Sequence, residues 1–240
     1  MKHIRALTFD LDNTLWETDV SILGAEDAMA AHLRDLAPSN WMANFSLETF
    51  RAVRKQLVDE KPDIAHNLTV VRRETLIRWF ENQGADRLAA KDLAEEGFRV
   101  FYEERQKVKP YPGTVETLEA LSKAYPLGAI TNGNADLMAM PIGQYFQFSL
   151  QSQHFPKPKP DPVMFEEALK RLNVKPNECL HIGDDIEHDV IGAKQLGMEA
   201  VWFNTHARIP EEHVPADHII TNLKELIDIL KPHDSSVRPR

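Results

Sequence analysis

Cysteine is nearly missing from this chain: among 240 residues Cys179 is the sole example. One thiol cannot build an internal disulfide framework, which suits a reducing compartment, and Cys179 reads as a small core hydrophobe. Long apolar runs are missing too. None approaches the ~20 residues that span a bilayer, and Met1 to Phe9 meets the acidic Asp10 before a secretory segment could develop. Positive charge is in short supply, with 28 Lys and Arg against 37 Asp and Glu and a formal net charge of −9. No broad positive field is available for a nucleic-acid backbone, so an anionic ligand has to be captured by a local arrangement. The expectation is a soluble, cytoplasmic protein without nucleic-acid or membrane partners. Its oligomeric state is left open.

What is present is ordinary globular composition, 42% hydrophobic and 27% charged. The length suits one core plus one sizeable insertion. Residues 4 to 9 are mostly apolar and stop at Asp10-Leu11-Asp12-Asn13-Thr14, as a buried parallel strand does on reaching a site at its tip. From Ser21 to about Lys107 the pattern turns to charged, helix-length segments without a clear strand, with breaks at Pro38, Pro62 and Gly84.

After Lys109-Pro110-Tyr111-Pro112-Gly113 strands and helices alternate. A helix with Val115, Leu118 and Leu121 on one face precedes a strand from Leu127 to Ile130, and a helix covers Pro162 to Leu172. A strand at Cys179 to Ile182, a helix near Val190, Ala193 and Leu196, and a strand at Ala200 to Phe203 follow. The pattern predicts an α/β fold, a Rossmann-like doubly wound parallel sheet. The helical stretch is too long for a crossover. It is expected to be an inserted all-helical cap over 17–109, with the catalytic core in 1–16 and 110–240. His233 to Arg240 is polar and expected to be a frayed tail.

Four segments are placed after strands: Asp10-x-Asp12-x-Thr14, Thr131-Asn132-Gly133-Asn134, Lys157-Pro158-Lys159-Pro160-Asp161-Pro162 and Gly183-Asp184-Asp185-x-x-x-Asp189. In an open parallel sheet the carboxyl ends of the strands converge on one crevice. Asp10 and Asp12 stand two apart, and in extended chain such residues project to the same side. One carboxylate can attack a phosphate ester while the other gives a proton to the leaving oxygen and later activates water. A phosphate dianion beside Asp10, Asp12, Asp184 and Asp189 would be repelled, so the cluster calls for a hard cation, Mg2+. Lys159, the Thr131 hydroxyl and the Asn132 amide are donors suited to the phosphoryl oxygens.

Phe9-Asp10-Leu11-Asp12-Asn13-Thr14-Leu15, Ile130-Thr131-Asn132-Gly133-Asn134, Lys159-Pro160-Asp161-Pro162 and His181-Ile182-Gly183-Asp184-Asp185 with Asp189 together resemble the motifs of the haloacid dehalogenase-like hydrolases. The resemblance implies Asp10 as nucleophile, Asp12 as general acid and base, and Thr131 and Lys159 on the phosphoryl group. It implies Asp10, the Asp12 carbonyl and Asp184 on magnesium, with Asp185 and Asp189 beside the metal or on the lysine. Leu11, Thr131, Asn132 and Lys159 make up the expected phosphate-binding set. The substrate implied is a small phosphorylated metabolite such as a pyrimidine phosphate or nucleoside monophosphate, over which the cap would close. Many relatives carry a glycine shortly before the motif lysine, whereas Phe155-Pro156-Lys157-Pro158 stands here; Lys159 is favoured over a solvent-facing Lys157 because Pro160-Asp161-Pro162 follows it.

Trp16 and Glu17, where the chain turns toward the cap, and His66 and Arg72 within it are candidate specificity residues. His181 reads as a hydrogen-bonded core histidine. Three rivals remain: a 2-haloacid dehalogenase, which Asp12 disfavours because a departing halide needs no acid, a phosphomutase, and a non-catalytic binding protein on the same fold.

Overall fold

A computed structural model describes residues 3–205, 209 and 214–230. The expected tail at 233–240 lies outside the described residues. The core unit comprises the chain up to Trp16, Pro110–Thr131 and the part from Leu137 onward. Its strands are β1 (Ala6–Phe9), β2 (Leu127–Thr131), β3 (Phe148–Gln151), β4 (Cys179–Gly183), β5 (Glu199–Phe203) and β6 (His218–Ile220), ordered β3-β2-β1-β4-β5-β6 and parallel throughout. β1, β2 and β4 are buried along their whole length, which is why they read as unbroken apolar runs. The order runs outward in one direction from β1 to β3 and in the other from β4 to β6, so the chain reverses between β1 and β4, where doubly wound sheets open their crevice.

Met164, Phe165 and Ala168 of the helix Val163–Leu172 pack with Ile130, Cys179, Val190 and Trp202 in one apolar cluster of this unit. The helix Thr114–Ser122 buries Leu118 and Leu121 but leaves Val115 39% exposed, so the inward face runs through Thr114 and Thr117 instead of Val115. The helix expected around Val190 is a π-helical turn, Ile186–Ile191, followed by the short helix Gly192–Gln195. Its widening has a visible cause: besides the Asp189 N–H, the Val190 N–H five residues on also donates to the Asp185 carbonyl. β3 and β6 had no sequence signal. β3 carries polar residues at alternate positions, and β6 is three residues long at the sheet edge.

The second unit comprises Glu17–Lys109 and, beyond the expected boundary, Asn132–Asp136. It is helical, with α1 (Thr18–Leu36), α2 (Ser39–Met42), α3 (Leu47–Glu60), α4 (Leu68–Asn82) and α5 (Arg87–Arg105). Ser46 and Thr49 form a reciprocal cap on α3, Asn67 caps α4 and Asp86 caps α5, each placing a side-chain oxygen on orphan N–H groups. Met29, Leu33, Phe50, Leu76, Phe80 and Phe101 form its separate core. No helix among the described residues is long and apolar enough to cross a membrane.

Candidate active site

The register pairs Phe9 with Ile182, so the residues that follow β1 and β4 emerge side by side. Asp10 donates its N–H to the Ile182 carbonyl at 2.8 Å, which anchors its backbone to the sheet as its side chain leaves it. The Thr14 hydroxyl lies 3.3 Å from Asp10 Oδ2 and 3.4 Å from Asp184 Oδ1, linking the two carboxylates. Trp202, buried on β5, donates its indole N–H to the Asp184 carbonyl at 2.9 Å.

Lys159 is 2% exposed. Its ammonium donates to Asp10 Oδ1 at 2.7 Å, Asp189 Oδ1 at 2.6 Å and the Ile130 carbonyl at 2.7 Å, three acceptors for three N–H bonds. Behind it, Asp189 accepts from the Asp185 N–H at 3.1 Å and stands 3.2 Å from His181 Nε2. An ionised carboxylate only accepts, so His181 carries its proton on Nε2 and takes the Thr8 hydroxyl, 2.9 Å away, on Nδ1. Gly183 is required here: a Cβ would stand 2.2 Å from Asp189 Oδ2. Lys157 is 70% exposed and pairs with Asp161 on the surface.

The charges of this cluster are uneven. Burial holds the Asp10 carboxyl well above the ordinary carboxylate range, against the pull of Lys159 and with Asp189 and Asp184 pushing the same way. Burial alone would lower Lys159, but Asp10 and Asp189 outweigh it and raise it. Burial likewise opposes ionisation of Asp189, yet Lys159 and His181 hold it far below its usual value. Of these two carboxyls, Asp10 is the one whose ionised form burial disfavours on balance. Asp10, Asp184 and Asp189 each bring an oxygen within 4.8 Å of the others. Asp189 is committed to Lys159, which leaves Asp10 and Asp184 as the pair for a hard cation, the donor chemistry magnesium prefers. The residues fit that ion, whose charge would restore the Asp10 carboxylate.

The remaining candidates divide. Asp12 is half-buried and accepts the Trp16 indole N–H on Oδ1 at 2.9 Å. Trp16 is fully buried, so the substrate contact expected of it is replaced by this bond. Asp185 is a cap, with Oδ1 accepting the His188 N–H at 2.8 Å, and serves the cluster through its backbone N–H to Asp189. Leu11 is buried, so only its backbone could face a phosphate. Thr131 is buried at the end of β2, while Asn132 is half-buried in the loop that packs with the helical unit.

In that unit Glu17 is exposed and His66 half-buried. Arg72 contradicts its expected place in a substrate patch. It is buried, donates to Glu26 at 3.1 Å and stacks 3.6 Å over the Phe101 ring. Burial lowers it to about 10, and it remains a cation held inside the helical core. Thr14, Gly183, His181 and Trp202 had not been named as site residues. Thr14, Gly183 and His181 stood within the quoted motifs, and His181 is the hydrogen-bonded core histidine it was read as; nothing in the pattern marks Trp202.

A carboxylate at the switch point of a parallel sheet, held by a buried lysine and followed two residues on by a second acid, is the candidate active site of an α/β hydrolase. A profile of the haloacid dehalogenase-like hydrolases matches residues 4–197, and the chain belongs to that family. Its curated relatives are phosphatases, as this enzyme is. The 5-amino-6-(5-phospho-D-ribitylamino)uracil phosphatase YigB of Escherichia coli (strain K12) is 34% identical over 199 residues, 83% of each chain. The glyceraldehyde 3-phosphate phosphatase of Pyrococcus furiosus is 28% identical over 245 residues, 98% of this chain and 97% of its own. Among solved structures, a 2-haloacid dehalogenase from Pseudomonas syringae pv. Tomato DC3000 matches with a TM-score of 0.88 and 38% identity, covering 95% of this chain and 98% of that one.

Proposed function

We propose that this enzyme is a magnesium-dependent, cytoplasmic phosphatase of a small phosphorylated metabolite, acting through a phosphorylated Asp10. The observation that carries the reading is a pair of carboxylates two residues apart in unlike surroundings. Asp10 is buried against Lys159, and Asp12 is half-buried against an indole N–H. Carboxylates held so differently suit different tasks.

The Asp10 carboxylate attacks phosphorus in line, the ester P–O bond breaks, and Asp12 gives its proton to the departing oxygen. Water then attacks the acyl phosphate, Asp12 takes its proton, and phosphate and free Asp10 result. Lys159, anchored by Asp189, would exchange its bond to Asp10 or to the Ile130 carbonyl for a phosphoryl oxygen, beside the Thr131 hydroxyl and the Leu11 amide. Magnesium, held by Asp10, Asp184 and the Asp12 carbonyl, would neutralise phosphoryl charge when bound.

The YigB relative favours a ribityl-bearing pyrimidine phosphate as substrate, ahead of glyceraldehyde 3-phosphate. The dehalogenase named among the solved structures is the rival reading, and Asp12 opposes it, since halide departure needs no acid. Phosphate release from 4-nitrophenyl phosphate and from these two esters, with magnesium or chelator, tests the proposal. Turnover that requires magnesium and is lost in Asp10→Asn supports it. Halide release from 2-chloropropionate without phosphatase activity would sink it.

A further inference from the structure

Resting on the phosphatase reading, we propose that Trp16 is a positioning residue that assigns the two oxygens of Asp12. It holds Oδ1 as a fixed acceptor, so the proton delivered to the leaving group is carried on Oδ2. Three observations converge on this. The indole Nε1 lies 2.9 Å from Asp12 Oδ1. An indole N–H can only donate, and a carboxyl accepts more strongly on its carbonyl oxygen than on its hydroxyl oxygen, so the bond favours keeping the proton off Oδ1. Trp16 is also fully buried, which denies its N–H a water as alternative partner.

The backbone explains how a residue four positions on returns to Asp12. Asn13 takes a positive φ of 61°, and its N–H donates to the Trp16 carbonyl at 2.8 Å, closing a turn in which Asp12 and Trp16 bridge. The Tyr111 N–H donates to the Leu15 carbonyl at 2.9 Å, and Trp16 bridges Pro110 on the same returning segment. Backbone contacts on both sides thus aim the ring at the acid. A phenylalanine would fill the same buried space, but only the indole brings a donor. A carboxylate torsion is broad and roughly two-fold. Without that donor the proton would be shared between two oxygens, one of them turned toward the protein.

The role is tested by leaving-group dependence, because a poor leaving oxygen needs the acid and a good one does not. kcat/KM covers binding and attack up to departure of the leaving group and excludes hydrolysis of the intermediate, so the contrast between the two esters isolates the acid. The variants are Trp16→Phe and, at the same position, the sulfur isostere 3-benzothienylalanine, which keeps the bicyclic shape and lacks the N–H. Each is assayed with glycerol phosphate and 4-nitrophenyl phosphate, with Asp12→Asn alongside. Both Trp16 variants are expected to lose roughly tenfold in kcat/KM on the alkyl ester, part of the 10²–10⁴ a general acid supplies. The loss on the aryl ester should be several-fold smaller.

Equal losses on both esters, or no loss on either, would overturn the assignment while Asp12→Asn still discriminates between them. If Asp12→Asn itself does not discriminate, the acid role of Asp12 fails and the assignment with it. The isostere keeps the test decisive should Trp16→Phe fold poorly.

Discussion

Lys159→Met removes the one cation shared by two buried carboxylates, at 2.7 Å from Asp10 and 2.6 Å from Asp189. Methionine fits the space of the lysine stem, so packing changes little and the charge effect is isolated. Deleting one partner of a buried ion pair costs roughly 3–5 kcal/mol, because the remaining charge is left uncompensated. Asp10 is already held well above the usual carboxylate range by burial and can relieve its loss by taking a proton. Asp189, held far below that range chiefly by Lys159 against burial, cannot do so without a large shift. The expected loss at neutral pH is therefore about 3–4 kcal/mol. At about 2–4 °C per kcal/mol for a domain of this size, melting should fall by about 10 °C.

The assay is thermal melting in chelator from pH 4 to 9, and the sign of its pH dependence is fixed. Without the lysine, both folded carboxyls titrate above the ~4 of an unfolded chain. The folded variant then holds protons that the unfolded chain has released, so its stability falls as pH rises through that window. The deficit against wild type should be small near pH 4 and widen toward pH 8. Lys159→Met with Asp189→Asn should recover part of it, since one of the stranded charges is gone. A melting temperature within about 2 °C of wild type at pH 8 would refute the reasoning, as would a deficit that widens toward acid.

Gly183→Ala would place a methyl 2.2 Å from the buried Asp189 carboxylate, which has no room to retreat. We expect a loss of at least about 2 kcal/mol from overpacking and a large fall in kcat, read by melting and phosphate release. Arg72→Met should destabilise the helical unit by about 2–4 kcal/mol, toward the lower end because Arg51 still bonds Glu26 at 2.6 Å. KM for 4-nitrophenyl phosphate should stay near wild type in that variant, whereas a substrate-binding Arg72 would raise it at unchanged stability. Thr14→Val removes the hydroxyl between Asp10 and Asp184. Those two carboxylates then lose the hydroxyl they share, so the magnesium needed for half-maximal rate should shift several-fold while stability in chelator, read by melting, falls by about 1 kcal/mol, a lost hydrogen bond.

The layout of the core was legible because its interior strands are buried on both faces and leave unbroken apolar runs ending in polar residues. β3 and β6 escaped because their neighbours cover them unevenly: Phe-Ser-Leu-Gln alternates, and three residues at an edge carry no period. Asp10, Asp12 and Asp184 were legible because they follow strands with readable ends, and Lys159 because Pro160-Asp161-Pro162 follows it. The partners of the residues that support them were not, although His181 read as a hydrogen-bonded core histidine. His181 and Trp202 lie inside strands, where the sequence offers only buried positions. What they bond to is decided by register, which brings Thr8 opposite His181 and Gly183 opposite Trp202.

Arg72 and Lys159 show where composition stops being informative. Both are buried cations bonded to buried carboxylates, Glu26 in one case and Asp10 with Asp189 in the other. Residue type alone made both candidates for an anionic ligand. Arg72 projects from the buried face of a helix that also carries Val71, Thr75 and Leu76, and a guanidinium there meets Phe101 and the Glu26 carboxylate that balances it. Lys159 follows a strand, at the tip of a sheet whose switch point adds Asp184 to the two acids it binds. One ammonium cannot neutralise three carboxylates. That surplus of negative charge, which the meeting of separate strand ends creates, is what supports the proposed cation at Asp10 and Asp184, whereas Glu26 and Arg72 balance each other as structure.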